Sequence, residues 1–131
     1  MSQSDLTVEC QEDCGNAPKK LLLKDFTIAL AKKDIHFCIN CIHDEIVWEI
    51  VGKKHIKGIK EYEQTLNQLK ESSITHLLIH NIITHGNTAS LNGTFILKNK
   101  DRIDFCDVYN FAGFGKKAKI KKITSYVIKT S

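Results

Sequence analysis

The sequence predicts an α+β domain in which a curved antiparallel sheet packs against three N-terminal helices. Apolar residues recur at helical spacing in the first half of the chain and at period two in the second. The period-two runs are separated by short turn-forming stretches, as in successive hairpins. Three helices with one early strand come first and four long strands follow, which is the order of an α+β fold with helices on one face of the sheet.

The 131 residues suit one domain with a core of its own. Residues 1–15 have no apolar period and are expected to be a disordered tail, with the domain covering 16–131. Asn16 can cap a first helix with Pro18 in its first turn, and Leu22, Phe26, Ala29 and Leu30 form a stripe that ends at Lys32 and Lys33. Asp34 can cap a short second helix carrying Ile35, Cys38, Ile39 and Ile42, ended by His43 and Asp44. Glu45 to Val51 reads as a strand broken by Gly52. After Gly58, the positions Ile59, Tyr62, Leu66 and Leu69 give a third helix one apolar face, up to Lys70.

Four long strands follow. Ile74 to Thr84 ends in the turn residues His85, Gly86 and Asn87. Ala89 to Lys98 alternates, with Gly93 on its apolar side as a bulge or bend. Arg102 to Phe111 and Lys119 to Lys129 complete the set.

Two acids stand where apolar side chains belong. Asp107 shares the register of Ile103, Phe105, Tyr109 and Phe111, and Glu49 shares that of Val47 and Val51 in a run apolar on both faces. An ionised carboxylate is costly to bury, so Asp107 is expected to pair with a lysine, to accept backbone hydrogen bonds, or to line a pocket, and Glu49 to reach water or Lys53 at a sheet edge or to line the same pocket. Trp48 points away from Glu49 and reads as core.

The remaining polar clusters carry less. His76 and His80 are four apart in a strand, roughly 13 Å, too far to share a metal, and His80 is kept as a pocket-lining candidate. Cys10 and Cys14 lie in the tail, and Cys38 and Cys41 on an amphipathic helix, a spacing irregular for a zinc ribbon, so no metal and no cofactor are expected. Five cysteines in a chain whose N-terminus is polar and acidic suggest reduced thiols and a cytoplasmic protein. A net charge of +4 falls short of a dedicated nucleic-acid binder, and Lys116, Lys117, Lys119, Lys121 and Lys122 read as a solvated flank of the last hairpin. No stretch is long and apolar enough for a membrane span. Neither a nucleic acid nor a membrane is therefore expected as a partner.

The order of elements, together with His43-Asp44-Glu45-Ile46-Val47-Trp48-Glu49, Gly52, Gly58, Phe105-Cys106-Asp107-Val108-Tyr109-Asn110-Phe111, Lys119-Ile120 and Ser125-Tyr126, resembles the nuclear transport factor 2-like superfamily. Within it, the likeness is to the SnoaL-like polyketide cyclases and ketosteroid isomerases, and it covers residues 17–129. The resemblance implies that the curved antiparallel (mixed) sheet is cone-shaped and that a pocket lies between helices and concave sheet, with Glu49 at the position of the isomerase general base. Asp107 then matches the protonated acid that hydrogen-bonds the developing oxyanion. The isomerase tyrosine on the first helix falls at or near Phe26, which has no hydroxyl. The resemblance also implies pairing of two copies through the outer sheet face.

The expected site is thus an apolar pocket with Asp107 and Glu49 as catalytic acids and Tyr109, Phe111, Phe26, Tyr62 and His80 as ligand-binding residues. The expected activity is isomerisation, cyclisation or dehydration of a small apolar molecule by proton transfer. Ligand binding without chemistry, or a protein-interaction or dimerisation module, is the alternative. The expected partners are a small apolar ligand and a second copy of the chain.

Overall fold

The structure is a computed structural model that describes residues 6–11, 15, 17–68, 73–115 and 117–130. Among these, the elements in chain order are β1 (Thr7–Cys10), α1 (Pro18–Lys32), α2 (Ile35–Cys41), β2 (Ile42–Ile50), β3 (Lys54–Lys57), α3 (Ile59–Gln68), β4 (Ile74–His85), β5 (Thr88–Leu97), β6 (Arg102–Phe111) and β7 (Ile120–Thr130). The strands form one mixed sheet in the order β1-β4-β5-β6-β7-β2-β3. Pairing is antiparallel throughout β4 to β7 and between β2 and β3, and parallel where β1 joins β4 and where β2 joins β7. This is the expected α+β cone, open at both edges.

The helices begin and end as local chemistry dictates. Pro18 opens α1, where a missing N–H costs nothing; the cap is Ala17 without a side-chain bond, and Asn16 lies outside the described residues. Leu23, Phe26 and Thr27 are the most deeply buried part of α1, so its inner face is turned slightly from the expected stripe, and Leu22 and Leu30 are only half-buried. The Asp34 carboxylate accepts from the Phe37 N–H at 3.2 Å, the expected cap of α2. That helix stops at Cys41, and β2 starts at once at Ile42, three residues earlier than the sequence pattern places it. In α3, Tyr62 and Leu66 are buried as expected; Leu69 and Lys70 lie outside the described residues.

Two short strands depart from the sequence reading. Thr7–Cys10 falls in the stretch expected to be a structureless tail, yet it pairs with β4, Thr7 opposite His76 and Cys10 opposite Ile79. The Gln11 N–H extends the ladder to the Ile79 carbonyl at 2.9 Å, and Leu6, Val8 and Cys10 pack against the core. An edge strand satisfied by a distant partner needs little periodicity of its own, which is why the pattern is silent there. Likewise Lys54–Lys57 returns along β2 after the Gly52 turn, where φ is +78°, and only Ile56 of the four is buried.

Side chains of the sheet's concave face meet the helices in one core. Leu23 and Phe26 of α1, Cys38 of α2, Tyr62 and Leu66 of α3, and Leu77, Leu91, Tyr109, Ile120 and Ile123 of the strands belong to it. No helix of the described residues is long and apolar enough to cross a membrane.

Candidate functional site

The concave face does not fill completely. Where α1 gives way to α2, a cavity of about 300 Å³ remains between the helices and strands β2, β4, β5, β6 and β7. Its lining is largely apolar: Ala29, Leu30, Ile35, Cys38 and Leu66 from the helical side, and Trp48, Ile50, Phe95, Ile103, Phe105 and Val127 from the sheet. The phenyl rings of Phe95 and Phe105 stack with centroids 4.4 Å apart, making a flat stretch of wall.

Asp107 is the carboxyl group on the inner wall of this cavity. The alternation of β6 turns Ile103, Phe105, Asp107, Tyr109 and Phe111 to the helices, and the cross-strand partner of Asp107 on β7 is Ser125. Asp107 is 9% exposed, against 0% for Tyr109 two residues on, so it is the carboxyl that opens to the cavity and the tyrosine that closes the core behind it. The Tyr109 hydroxyl donates to Asp107 Oδ2 at 3.3 Å. Ser125 also hydrogen-bonds the carboxyl, and its Oγ accepts from Trp48 Nε1–H at 3.0 Å, which leaves the serine proton for Asp107. Among the described residues no lysine pairs with it, and its partners are hydroxyls, so the ion-pair explanation of this buried acid is set aside.

Burial dominates the charge state. It pushes the Asp107 carboxyl up from 3.8 to about 6, while the bonds from Ser125 and Tyr109 pull the other way. Burial also holds the phenols of Tyr109 and Tyr62 well above their ordinary value, so both stay protonated donors at neutral pH. The inner wall therefore presents one carboxyl that exchanges its proton near neutrality, with a hydroxyl donor on either side.

The other expected site residues are distributed differently. Glu49 does not line the cavity: β2 turns Trp48 and Ile50 inward, and Glu49 faces the outer side of the sheet, opposite His55 of β3. Parity with Val47 and Val51 was right, but that parity is the outer one. Phe26, Tyr109, Phe111 and Tyr62 are buried core residues behind the wall and are not on the cavity surface. Phe26 meets Tyr109 edge-on at 6.3 Å, and Tyr62 packs on Trp48 at 5.2 Å, so these rings hold the lining residues in place. His80 sits at a register shift in β4 and joins an outer polar chain: its Nδ1 meets Gln11 Oε1 at 2.9 Å and its Nε2 meets Thr94 Oγ1 at 3.4 Å. Thr94 in turn donates to Asp104 at 2.6 Å.

Ser125, Trp48 and Cys38 are lining residues that no expectation singled out as such. Ser125 carried a usable signal, a hydroxyl in the inward register of Ile123 and Val127, the same anomaly that marks Asp107. Cys38 and Cys41 are buried thiols pushed up to about 12 and about 11, chiefly by desolvation. Such thiols remain protonated and make poor metal ligands. Among the described residues no group of three or more His, Cys, Asp or Glu is placed to hold a metal, and Cys14 lies outside them.

No protein-family model matches the chain, and no curated protein matches it in sequence. Solved structures do. A nuclear transport factor 2-like protein of unknown function from Cytophaga hutchinsonii superposes with a TM-score of 0.62 at 23% identity, covering 83% of this chain and 98% of that one. A putative ketosteroid isomerase from Kribbella flavida gives 0.71 at 12% identity, covering 87% and 80%. An LEH-like epoxide hydrolase from Mycobacterium tuberculosis gives 0.65 at 20% identity, covering 85% and 83%. With its helices laid on a curved mixed sheet and the cavity between them, this chain has the nuclear transport factor 2-like fold.

Proposed function

We propose that this chain is an enzyme of the isomerase, cyclase or dehydratase kind, in which Asp107 moves a proton on a small apolar molecule held in the cavity. The observation that carries the reading is a carboxyl on an apolar cavity, raised to about 6 and flanked by the hydroxyl donors Tyr109 and Ser125. A group titrating near the working pH is effective in both directions of proton transfer. Tyr109 and Ser125 steady the carboxylate form, and Trp48 steadies Ser125. The likeness to a putative ketosteroid isomerase and to an epoxide hydrolase supports the reading at the level of fold.

Because Glu49 lies outside the cavity, the two-acid mechanism implied by the resemblance is replaced by one acid acting alone. Two probe reactions separate its roles. Migration of the double bond in androst-5-ene-3,17-dione needs Asp107 as base, so kcat/KM should rise with pH through about 6. Hydrolysis of cyclohexene oxide needs it as acid, so kcat/KM should fall through the same value. In either case Asp107→Asn should lower turnover by about 100-fold or more. If both probes quench Trp48 fluorescence on binding yet are recovered unchanged, the second reading, ligand carriage, replaces catalysis; the single inner-wall carboxyl is the feature that favours it.

We propose further that two copies pair through the outer sheet face. The register places Ile83, Val108, Tyr126 and Ile128 on the side away from the helices, and Ile83, Tyr126 and Ile128 are 61%, 49% and 64% exposed. Apolar side chains gathered on one sheet face gain by being covered. Sedimentation at micromolar concentration should give twice the 14.9 kDa chain mass. A species of 14.9 kDa would remove the dimer and leave the cavity reading untouched.

A further inference from the structure

The cavity is apolar inside but not at its rim. Lys33 and Lys53 both belong to its lining, Lys33 half-buried and Lys53 exposed. They reach it from different parts of the chain, Lys33 from the end of α1 and Lys53 from the turn after β2. Among the described residues neither ammonium has a carboxylate within ion-pair distance; the bridges there are Arg102 to Asp104 and Lys129 to Asp101. The nearest acid in sequence, Asp34, also lines the rim, but its carboxylate is engaged by the Phe37 N–H. Other lysines do find partners: Lys54 donates to Gln68 Oε1, and Lys119 to the Asn40 carbonyl.

Lys33 occupies its place against local preference. It is the residue that ends α1, at φ 66° and ψ 31°, the left-handed conformation that glycine adopts without strain and other residues avoid. Burial lowers its pKa, a further cost of keeping a cation there without an ion pair. A lysine retained in a strained, half-buried position on the rim of an apolar cavity, with no ion pair to Asp34 beside it, is suited to a charge brought by something else.

We propose that the cavity takes an amphipathic anion, an apolar body ending in a carboxylate, with Lys33 and Lys53 receiving the anionic end at the rim. The inference rests on the reading of this cavity as a ligand pocket and adds the class of molecule. The apolar body lies along Phe95, Phe105 and Val127 and brings its inner carbons toward Asp107. Its carboxylate stays at the rim, where two cations replace part of its hydration.

Trp48, the single tryptophan, lines the cavity and reports occupancy by fluorescence. Octanoate and 1-octanol, which share an apolar chain and differ in charge, are titrated into the full chain at pH 7.5. Octanoate should bind at least about tenfold tighter, and the difference should shrink in 1 M NaCl. In the double variant Lys33→Gln with Lys53→Gln, octanoate should fall to the affinity of 1-octanol, which itself should change by less than about twofold because the aliphatic stems remain. Equal affinities in the wild type, or a preference that survives in the variant, would overturn the anion while leaving the pocket standing. Failure of both probes to bind the wild type would overturn the pocket reading and this inference with it. A Lys33→Gly variant separates binding from folding: its melting temperature should hold or rise while octanoate affinity drops, and a lower melting temperature would make Lys33 a structural residue and overturn its role here.

Discussion

Replacing Gly93 by alanine is expected to destabilise the domain by about 3 kcal/mol, a large effect for one methyl group. A Cβ built on Gly93 would lie 2.2 Å from the Leu78 carbonyl oxygen and 3.1 Å from Phe105 Cζ. The first contact is with backbone, so no rotamer change relieves it. Gly93 pairs with Ile79 beside the register shift at His80, and the missing side chain is what lets the irregular stretch of β4 press close to β5. Alanine would force these two central strands apart, and the displacement would reach Phe105, whose ring forms part of the cavity wall. Gly113→Ala is the control: its nearest neighbour would be Ala118 Cβ at 4.0 Å, an ordinary contact, and the change should stay within about 0.5 kcal/mol. Urea denaturation of the two variants checks the pair. Equal stabilities would mean that β4 and β5 do not approach as closely at this point as the pairing indicates.

Asp107→Asn is expected to stabilise the fold at pH 8 and not at pH 4. The carboxyl titrates at about 6 in the folded chain against 3.8 as the ordinary value, so the folded state holds its proton more tightly than the unfolded one. Stability from this group is complete below 3.8 and is lost as pH climbs through about 6. The loss amounts to about 3 kcal/mol by linkage, and an amide, which does not ionise, avoids it. The amide also presents an NH₂ to one of the two donors Tyr109 and Ser125, which costs about 1 kcal/mol. The net gain at pH 8 is then about 1–2 kcal/mol, while at pH 4 the variant should be level with the wild type or slightly below it. Urea denaturation at both pH values measures this directly. A loss of about 3 kcal/mol or more at pH 8 would indicate a partner charge for Asp107 and would withdraw its role as the proton-transferring group. A gain there coupled to a fall in turnover is the signature of an acid retained for chemistry at the expense of stability.

The sequence alone determined the α+β class, the helices α1, α2 and α3, the four long strands, the Asp34 cap, the special position of Gly93 and the inward placement of Asp107. Each rests on short-range chemistry. Period two in β6 is unbroken from Ile103 to Phe111, so any sheet that buries those residues must bury the acid between them. Glu49 shows the limit of the same logic. In β2, both parities are apolar, and alternation says only that Trp48 and Glu49 oppose each other. Which of them meets the cavity was decided by the parallel pairing of β2 with β7, residues more than 70 positions apart in the chain, and by the seating of Trp48 between Tyr62 and Ser125. The same holds for β1, whose four residues become a strand only because the edge of β4 offers them hydrogen bonds. His80 was placed on the outer face by a register shift that alternation cannot anticipate. The rim lysines came together only through tertiary structure, since one ends a helix and the other ends a turn. Local patterning specifies which side chains share a face; long-range register and helix packing decide what that face encloses.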